Sequence, residues 1–318
     1  MRAVFPIVAA LLASLAIYLV GFTFIVAKPL TVGFIRDAFE LKDGYARSLA
    51  GTRVLVVAGS NGLFSHRCAA MEPILGRPCV NASITAELGL GYMLEFARRM
   101  AAPGDIIVMP LEHTLYDNTR DDIERGLLHP YRVSYDRATL GNLPPLQIVQ
   151  ALFQFDLRYL AGALPEMTLA AAGIERRFNR SNLTRQGDLV GQTAERGAIY
   201  RDAIRSQAFW LPVADTFSIS EPVRRTLGGF LDWAGLNRIR VIGTLATTFD
   251  DRPVDDDIVR RIGELFRTYG QEFAVLANRS QYPRSCFFDT QFHLTEPCQI
   301  EHSRALARML VPILRRSQ

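Results

Sequence analysis

Arg53-Val-Leu-Val-Val-Ala58, followed at once by Gly59-Ser60-Asn61-Gly62, is the stretch that decides the fold. A short run of valine and leucine with no polar alternation reads as a strand buried on both faces, the mark of a parallel sheet. The glycines around Ser60 end that strand in a tight turn, and a helix starts near Leu63. Ser60 therefore stands at the carboxyl end of a strand, the edge where open α/β sheets gather their ligands.

Working outward, further strands are expected at 78–82, 104–111, 238–244 and 273–277, each short and rich in Val, Ile or Leu. Helical periodicity falls at 85–101, through Leu88, Met93, Leu94 and Phe96, and at 254–269, through Ile258, Ile262, Leu265 and Phe266. A last helix is expected over 296–315, with Thr295 as its N-cap and Glu296 and Pro297 in its first turn. This alternation predicts an α/β three-layer sandwich with a mainly parallel sheet. Between about 113 and 236 the rhythm changes to helices and polar loops, which reads as a helical insertion. There Leu146, Val149, Phe153, Leu157 and Leu160 form one stripe, and Ile148, Leu152, Phe155 and Tyr159 form a second beside it. The combined arc is wider than a one-sided surface helix requires. It suits a helix buried in the core, or docking on a membrane surface or an integral membrane partner. Trp210 and Trp233 fall in the same region and read as packing within it rather than as stacking platforms for sugars.

At 318 residues the chain has room for one large domain with an insertion, and 49% hydrophobic with 21% charged residues excludes a disordered protein. The net charge of +4 is small, the basic residues are nearly all arginine, and none form a block interleaved with aromatics, so nucleic acid is not an expected partner. No charged residue occurs from Ala3 to Ala27, a stretch long enough at ~1.5 Å per residue to cross a ~30 Å hydrocarbon core. With no small-x-small cleavage site before Lys28, it reads as an uncleaved signal anchor. The expected organisation is a transmembrane anchor over 1–28, a connector over 29–50 that is helical through Val32 to Phe39, and an α/β body over 51–318. Such a protein is single-pass in the inner or cytoplasmic membrane, with its body on the extracytoplasmic, periplasmic side.

Four cysteines agree with that side of the membrane. Cys68, Cys79, Cys286 and Cys298 permit three pairings, among which sequence does not choose. Pairing of neighbours would close two short loops, the second enclosing Asp289 and His293, each contributing roughly 2–3 kcal/mol in the chain-entropy model. No cysteine pair has the close spacing of a structural zinc site, and neither metal nor cofactor is called for.

A serine hydroxyl is a weak nucleophile until a base removes its proton. His293 can do so while Asp289, four residues earlier, holds the other ring nitrogen and sets the tautomer. Backbone N–H groups around Ser60 and Asn61, at a helix start, would receive the oxyanion. His113, at a strand end, is a second candidate base, and His66 is expected to border the site. His129 and His302 are expected to face solvent or make local hydrogen bonds.

Four segments together resemble the SGNH (GDSL-like) hydrolases, and among them the membrane-anchored acyl-transfer branch that acts in alginate and cellulose O-acetylation and teichoic-acid D-alanylation. They are Val56-Val-Ala-Gly-Ser60-Asn-Gly-Leu-Phe64, Pro78-Cys-Val-Asn81-Ala-Ser83, Pro103-Gly-Asp-Ile-Ile-Val-Met-Pro-Leu-Glu112, and Phe287-Phe-Asp289-Thr-Gln-Phe-His293-Leu-Thr295. The resemblance implies Ser60 as nucleophile, His293 as base and Asp289 as its orienter, with Asn61, Asn81, Ser83 and His113 near the oxyanion. The chain departs from the pattern twice: Ser83 replaces a glycine whose N–H faces the oxyanion, and no asparagine follows the third strand, where Glu112-His113-Thr114 stands. The activity implied is an O-acyltransferase or esterase on a cell-envelope or exopolysaccharide, or another acyl ester, acting through an acyl-serine beside an integral membrane acyltransferase or synthase partner. The other expectation is a catalytically weak binding or assembly subunit with the same fold.

Overall fold

A computed structural model describes residues 4–21, 30–117, 126–141, 143–153, 164–165, 167–169, 171–173, 178–206, 217–251 and 253–316. The packing divides into two units, one of Met1–Asp37 with Gly126–Arg180 and one of Ala38–Arg125 with Ser181–Gln318.

The larger unit is the α/β body. Its sheet consists of β1 (Val54–Val56), β2 (Cys79–Asn81), β3 (Ile106–Met109), β4 (Arg240–Gly243) and β6 (Glu272–Phe273), in the order β2-β1-β3-β4-β6. Every pairing in it is parallel. Four of the five expected strands are strands of the sheet, each shorter than the apolar run that announced it; the fifth, expected at 273–277, is the two-residue β6, which shares only Phe273 with that run. Two further strands, β5 (Thr248–Phe249) and β7 (Gln281–Tyr282), pair apart from it, also in parallel.

Alternation through the sheet divides the core into two layers. Val54, Val56, Ile106, Val108 and Ile242 face a helical layer containing Cys68, Met71 and Leu75 of one helix and Leu306, Leu310 and Leu314 of the terminal helix Glu296–Arg315. On the alternate face, Gly243 lets Phe266 of helix Asp256–Thr268 approach to 2.6 Å from where a Cβ would stand. Helix Glu221–Leu236, capped by the Ser220 hydroxyl on the Val223 N–H and opened by Pro222, belongs to this unit and not to an outlying insertion. Its Trp233 packs 5.5 Å from Phe230 on the same helix, with the Arg98 guanidinium over its ring. Trp210 lies outside the described residues.

The strand order matters for function. β1 has β2 on one side and β3 on the other, so successive connections leave β1 in opposite directions. The order therefore switches between the carboxyl ends of β1 and β3, the place where such sheets bind ligands.

In the smaller unit, α1 (Val4–Val20) is apolar throughout and has no buried residue. Helix α2 (Leu30–Ser48), whose residues from Ala38 on belong to the larger unit, extends well past the expected Phe39. The expected transmembrane helix is not supported: among the described residues no helix is long and apolar enough to cross a membrane. α1 accounts for 17 residues, and 22–29 lie outside the description. The apolar arc begins as a helix over Pro145–Phe153, where Tyr18 stacks on Phe153 at 5.4 Å and Leu152 packs beside Ala151 and Val133. Leu146, Val149 and Phe153 are exposed, so this helix is not buried on all sides. Phe155, Leu157, Tyr159 and Leu160 lie outside the described residues.

Candidate active site

The turn after β1 shows why Gly59-Ser60-Asn61-Gly62 has the composition it does. A Cβ on Gly59 would stand 2.5 Å from Glu112 Oε1 and 2.8 Å from the Ala86 backbone nitrogen. One on Gly62 would stand 2.0 Å from Ser83 Oγ and 2.5 Å from Ser83 Cβ. Glycine is needed at both positions for close approach, not for a left-handed backbone. Ser60 opens the short helix Ser60–Ser65 and is half-buried, within reach of solvent.

Asp289 and His293 meet as expected, Nδ1 of the imidazole lying 2.6 Å from Asp289 Oδ1. Both side chains are partly exposed. With the carboxylate accepting at Nδ1, that nitrogen carries the ring proton and Nε2 is left to act as base. The ring lies flat against Phe64, centroids 4.0 Å apart and planes 11° apart. Phe64 follows Ser60 by four residues on one helix, and residues so spaced share a face. The backbone beside the histidine is held to the same helix: Ser65 Oγ donates to the Phe292 carbonyl at 2.8 Å and accepts from the Leu294 N–H at 3.2 Å. Phe288 N–H closes the loop on the His293 carbonyl at 2.8 Å. Ser60 Oγ makes no hydrogen bond among the described residues. Catalytic hydrogen bonds often tighten only when substrate is bound.

Both disulfides join sequence neighbours, Cys68 to Cys79 and Cys286 to Cys298. The second brackets the Asp289 and His293 segment. Thr295 occupies the N-cap position of the terminal helix but makes no side-chain cap bond; its hydroxyl and N–H both donate to the Cys286 carbonyl, tying helix to loop.

The residues expected around the oxyanion are placed otherwise. Asn61 donates its backbone N–H to Glu112 Oε1 at 2.8 Å and its amide to the Pro110 carbonyl at 2.9 Å, while its Oδ1 accepts from Thr247. Asn81 donates its amide to the carbonyls of Gly62 and His66, both at 3.0 Å, and accepts the Ser83 N–H at 3.2 Å. The Ser83 hydroxyl donates to the Val56 carbonyl, and its own carbonyl accepts from buried Lys42. These groups brace the site and are not free to receive an oxyanion. Of the N–H groups of Gly59, Ser60 and Asn61, the first and last donate to Glu112, and that of Ser60 has no acceptor among the described residues. Gln291, between Asp289 and His293, is buried with both amide atoms unpartnered among the described residues, a donor the sequence did not single out.

The other histidines correct the expectations. His113 is fully buried, and desolvation pushes its imidazole down to about 4, too weak a base to serve near neutral pH. His66 does not border the site. It is fully buried, its Nε2 3.2 Å from Nε2 of His302, which is itself buried and lies 2.9 Å from the Tyr282 hydroxyl. His302 therefore makes local bonds and does not face solvent.

A cavity of about 370 Å³ adjoins the Asp289 segment, lined by Ile204, Phe287 and Phe288 with Arg201, Arg205 and Arg284 around them. That volume falls in the range of small-ligand sites. No family model, curated protein or solved structure matches the chain.

Proposed function

We propose that the protein is an SGNH-type O-acyltransferase or esterase that works through an acyl-serine on Ser60. The observation that carries this reading is the Asp289–His293 pair at 2.6 Å, stacked through its imidazole on the helix that Ser60 begins. His293 Nε2 takes the Ser60 proton as Oγ attacks the carbonyl carbon of an O-acyl donor. The tetrahedral intermediate collapses, the donor's C–O bond breaks, and the imidazolium returns the proton to the departing alcohol oxygen. A sugar hydroxyl, or water in the hydrolytic version, then attacks the acyl-serine, and the same histidine carries its proton to Ser60 Oγ. Asp289 balances the imidazolium charge in both halves.

The substrate is a cell-envelope or exopolysaccharide. The protein is tethered through its apolar N-terminal segment, with an integral membrane acyltransferase or synthase as donor partner. Two disulfides support a site outside the reducing cytoplasm.

The test is labelling by a fluorophosphonate followed by peptide mapping. Ser60 is expected to carry the label, and Ser60→Ala and His293→Ala to lose it along with polymer acylation. A folded protein that takes no label would end this reading. Among the described residues the Asn61 and Asn81 amides at the site are both engaged, which favours a second reading, a binding or assembly subunit that uses the exposed Leu146, Val149 and Phe153 face. That reading expects Phe153→Asp to abolish polymer acylation while Ser60→Ala leaves it intact.

A further inference from the structure

β1 and β3 lie side by side, which brings the segment after β3 beneath the turn that follows β1. Glu112, three residues beyond the end of β3, stands there, where the family pattern has an asparagine donor, and its carboxylate is an acceptor instead. Glu112 is 2% exposed, its Oε2 accepts the Gly59 N–H at 3.1 Å and its Oε1 accepts the Asn61 N–H at 2.8 Å. One carboxylate therefore holds the peptide on each side of Ser60. The fit leaves no slack, since Gly59 has no Cβ and would strike Oε1 if it had one.

Resting on the acyl-serine reading, we infer that Glu112 is a positioning residue: it fixes the turn that presents Ser60, and its charge acts through that turn on His293. Only a carboxylate offers an acceptor to both N–H groups; a glutamine would turn its own NH2 toward one of them. Burial pushes the Glu112 carboxyl upward, and the Asn61 and Gly59 N–H bonds and the charge of His293 oppose that push. The groups around it are few. The charge of Glu112 acts on Tyr116 of its own segment and on His293 of the Asp289 loop. The histidine in turn meets Asp289 on its own loop and the apolar ring of Phe64 on the Ser60 helix. Glu112 is bonded to backbone N–H groups in the buried floor of the turn, so it acts through Ser60 and His293 and not on substrate.

The experiment compares Glu112→Gln and Glu112→Asp with the wild-type full-length chain in three measurements. Amide hydrogen exchange at Gly59 and Asn61 is expected to quicken about tenfold or more in Glu112→Gln, with the amides of β1 unaffected. Fluorophosphonate labelling of Ser60 is expected to slow about ten- to a hundredfold, the scale of a lost charged hydrogen bond. The acid limb of the labelling rate against pH should move to lower pH, because a negative charge that acts on the imidazolium has gone. Glu112→Asp, which keeps the charge and both acceptors, should recover the limb and part of the rate; if Glu112→Gln does not fold, the same limb and rate in Glu112→Asp decide. Labelling at wild-type rate and pH dependence in Glu112→Gln overturns the proposal, as does a slowed rate with an unmoved limb, which a merely structural role would give. A wild-type protein that takes no label sinks the acyl-serine reading itself, and with it any role for Glu112 in presenting a nucleophile.

Discussion

Two glycines of the nucleophile turn make a sharp claim about single methyl groups. Gly59→Ala must displace either the Glu112 carboxylate or the Ala86 backbone, and a backbone atom has nowhere cheap to go. It is expected to destabilise by about 1–3 kcal/mol or more, the scale of overpacking, read as a fall in denaturation midpoint. Gly62→Ala meets the Ser83 side chain most closely and the Ala58 Cβ at 2.9 Å, so its cost is expected to shrink, though not vanish, when combined with Ser83→Gly. The two changes should be less destabilising together than their sum, a coupling that a double-mutant cycle measures. Additive costs would show that Ser83 is not what fills that space. At this scale much was legible. A glycine-flanked serine after an apolar strand, and an acid four residues before a histidine, are local patterns, and the dyad forms as its spacing suggests. Glu112 was not legible as a partner of Ser60, because that depends on β1 and β3 being neighbours, which sheet order decides. Asn61 and Asn81 misled for the opposite reason. An amide near a nucleophile looks like an oxyanion donor until its partners are known, and here the Pro110, Gly62 and His66 carbonyls take its hydrogens.

At the scale of elements, the site is two segments brought together: the helix Ser60–Ser65 and the loop between Cys286 and Cys298. The loop has little regular structure of its own, so its shape depends on its disulfide, on Thr295 bonding Cys286, and on Ser65 holding Phe292 and Leu294. Removing the 286–298 bridge by paired serine substitution should cost about 3 kcal/mol, given a 12-residue separation, and should also slow labelling of Ser60. The Cys68–Cys79 bridge closes a loop of nearly equal length, and its removal should cost about as much stability. That bridge joins the helix Cys68–Leu75 to β2, so labelling of Ser60 in the folded fraction should be unchanged. Equal losses of labelling from both would show that the second bridge has no special hold on the dyad. The sequence exposed the strands because parallel strands buried on both faces are unbroken apolar runs. It hid the fate of 181–206 and 217–236, whose helices and loops carry no strand signal yet pack into the α/β body. Asp188 there accepts the N–H groups of Cys68 and Ala69, a contact between distant segments that no local pattern announces.

For the whole molecule, the buried histidines set the acid stability. His66 and His113 are fully buried, with imidazoles pushed down by desolvation to about 4, and His302 is lowered well below its usual value by burial and by its neighbour His66. A histidine whose pKa is lower in the folded state binds its proton preferentially in the unfolded chain. The unfolded state then holds more protons between about pH 4 and the ordinary histidine value near 6.5, so stability rises with pH across that window. His66 and His113 each contribute up to about 3 kcal/mol to that slope. Two buried carboxyls, Glu112 and Asp188, are raised by desolvation and act in the opposite sense, favouring the folded state when protonated. N–H donors and nearby cations offset part of their shift, so the histidines are expected to set the sign of the pH dependence below 6.5. Equilibrium unfolding in urea should therefore show stability falling as pH drops from about 6.5 to 5, without change in the slope of free energy against urea. His113→Phe, similar in shape and without a titrating group, should flatten that fall; a variant whose pH dependence matches the wild type would mean that His113 gains a proton in the folded protein and is not the neutral, buried ring described.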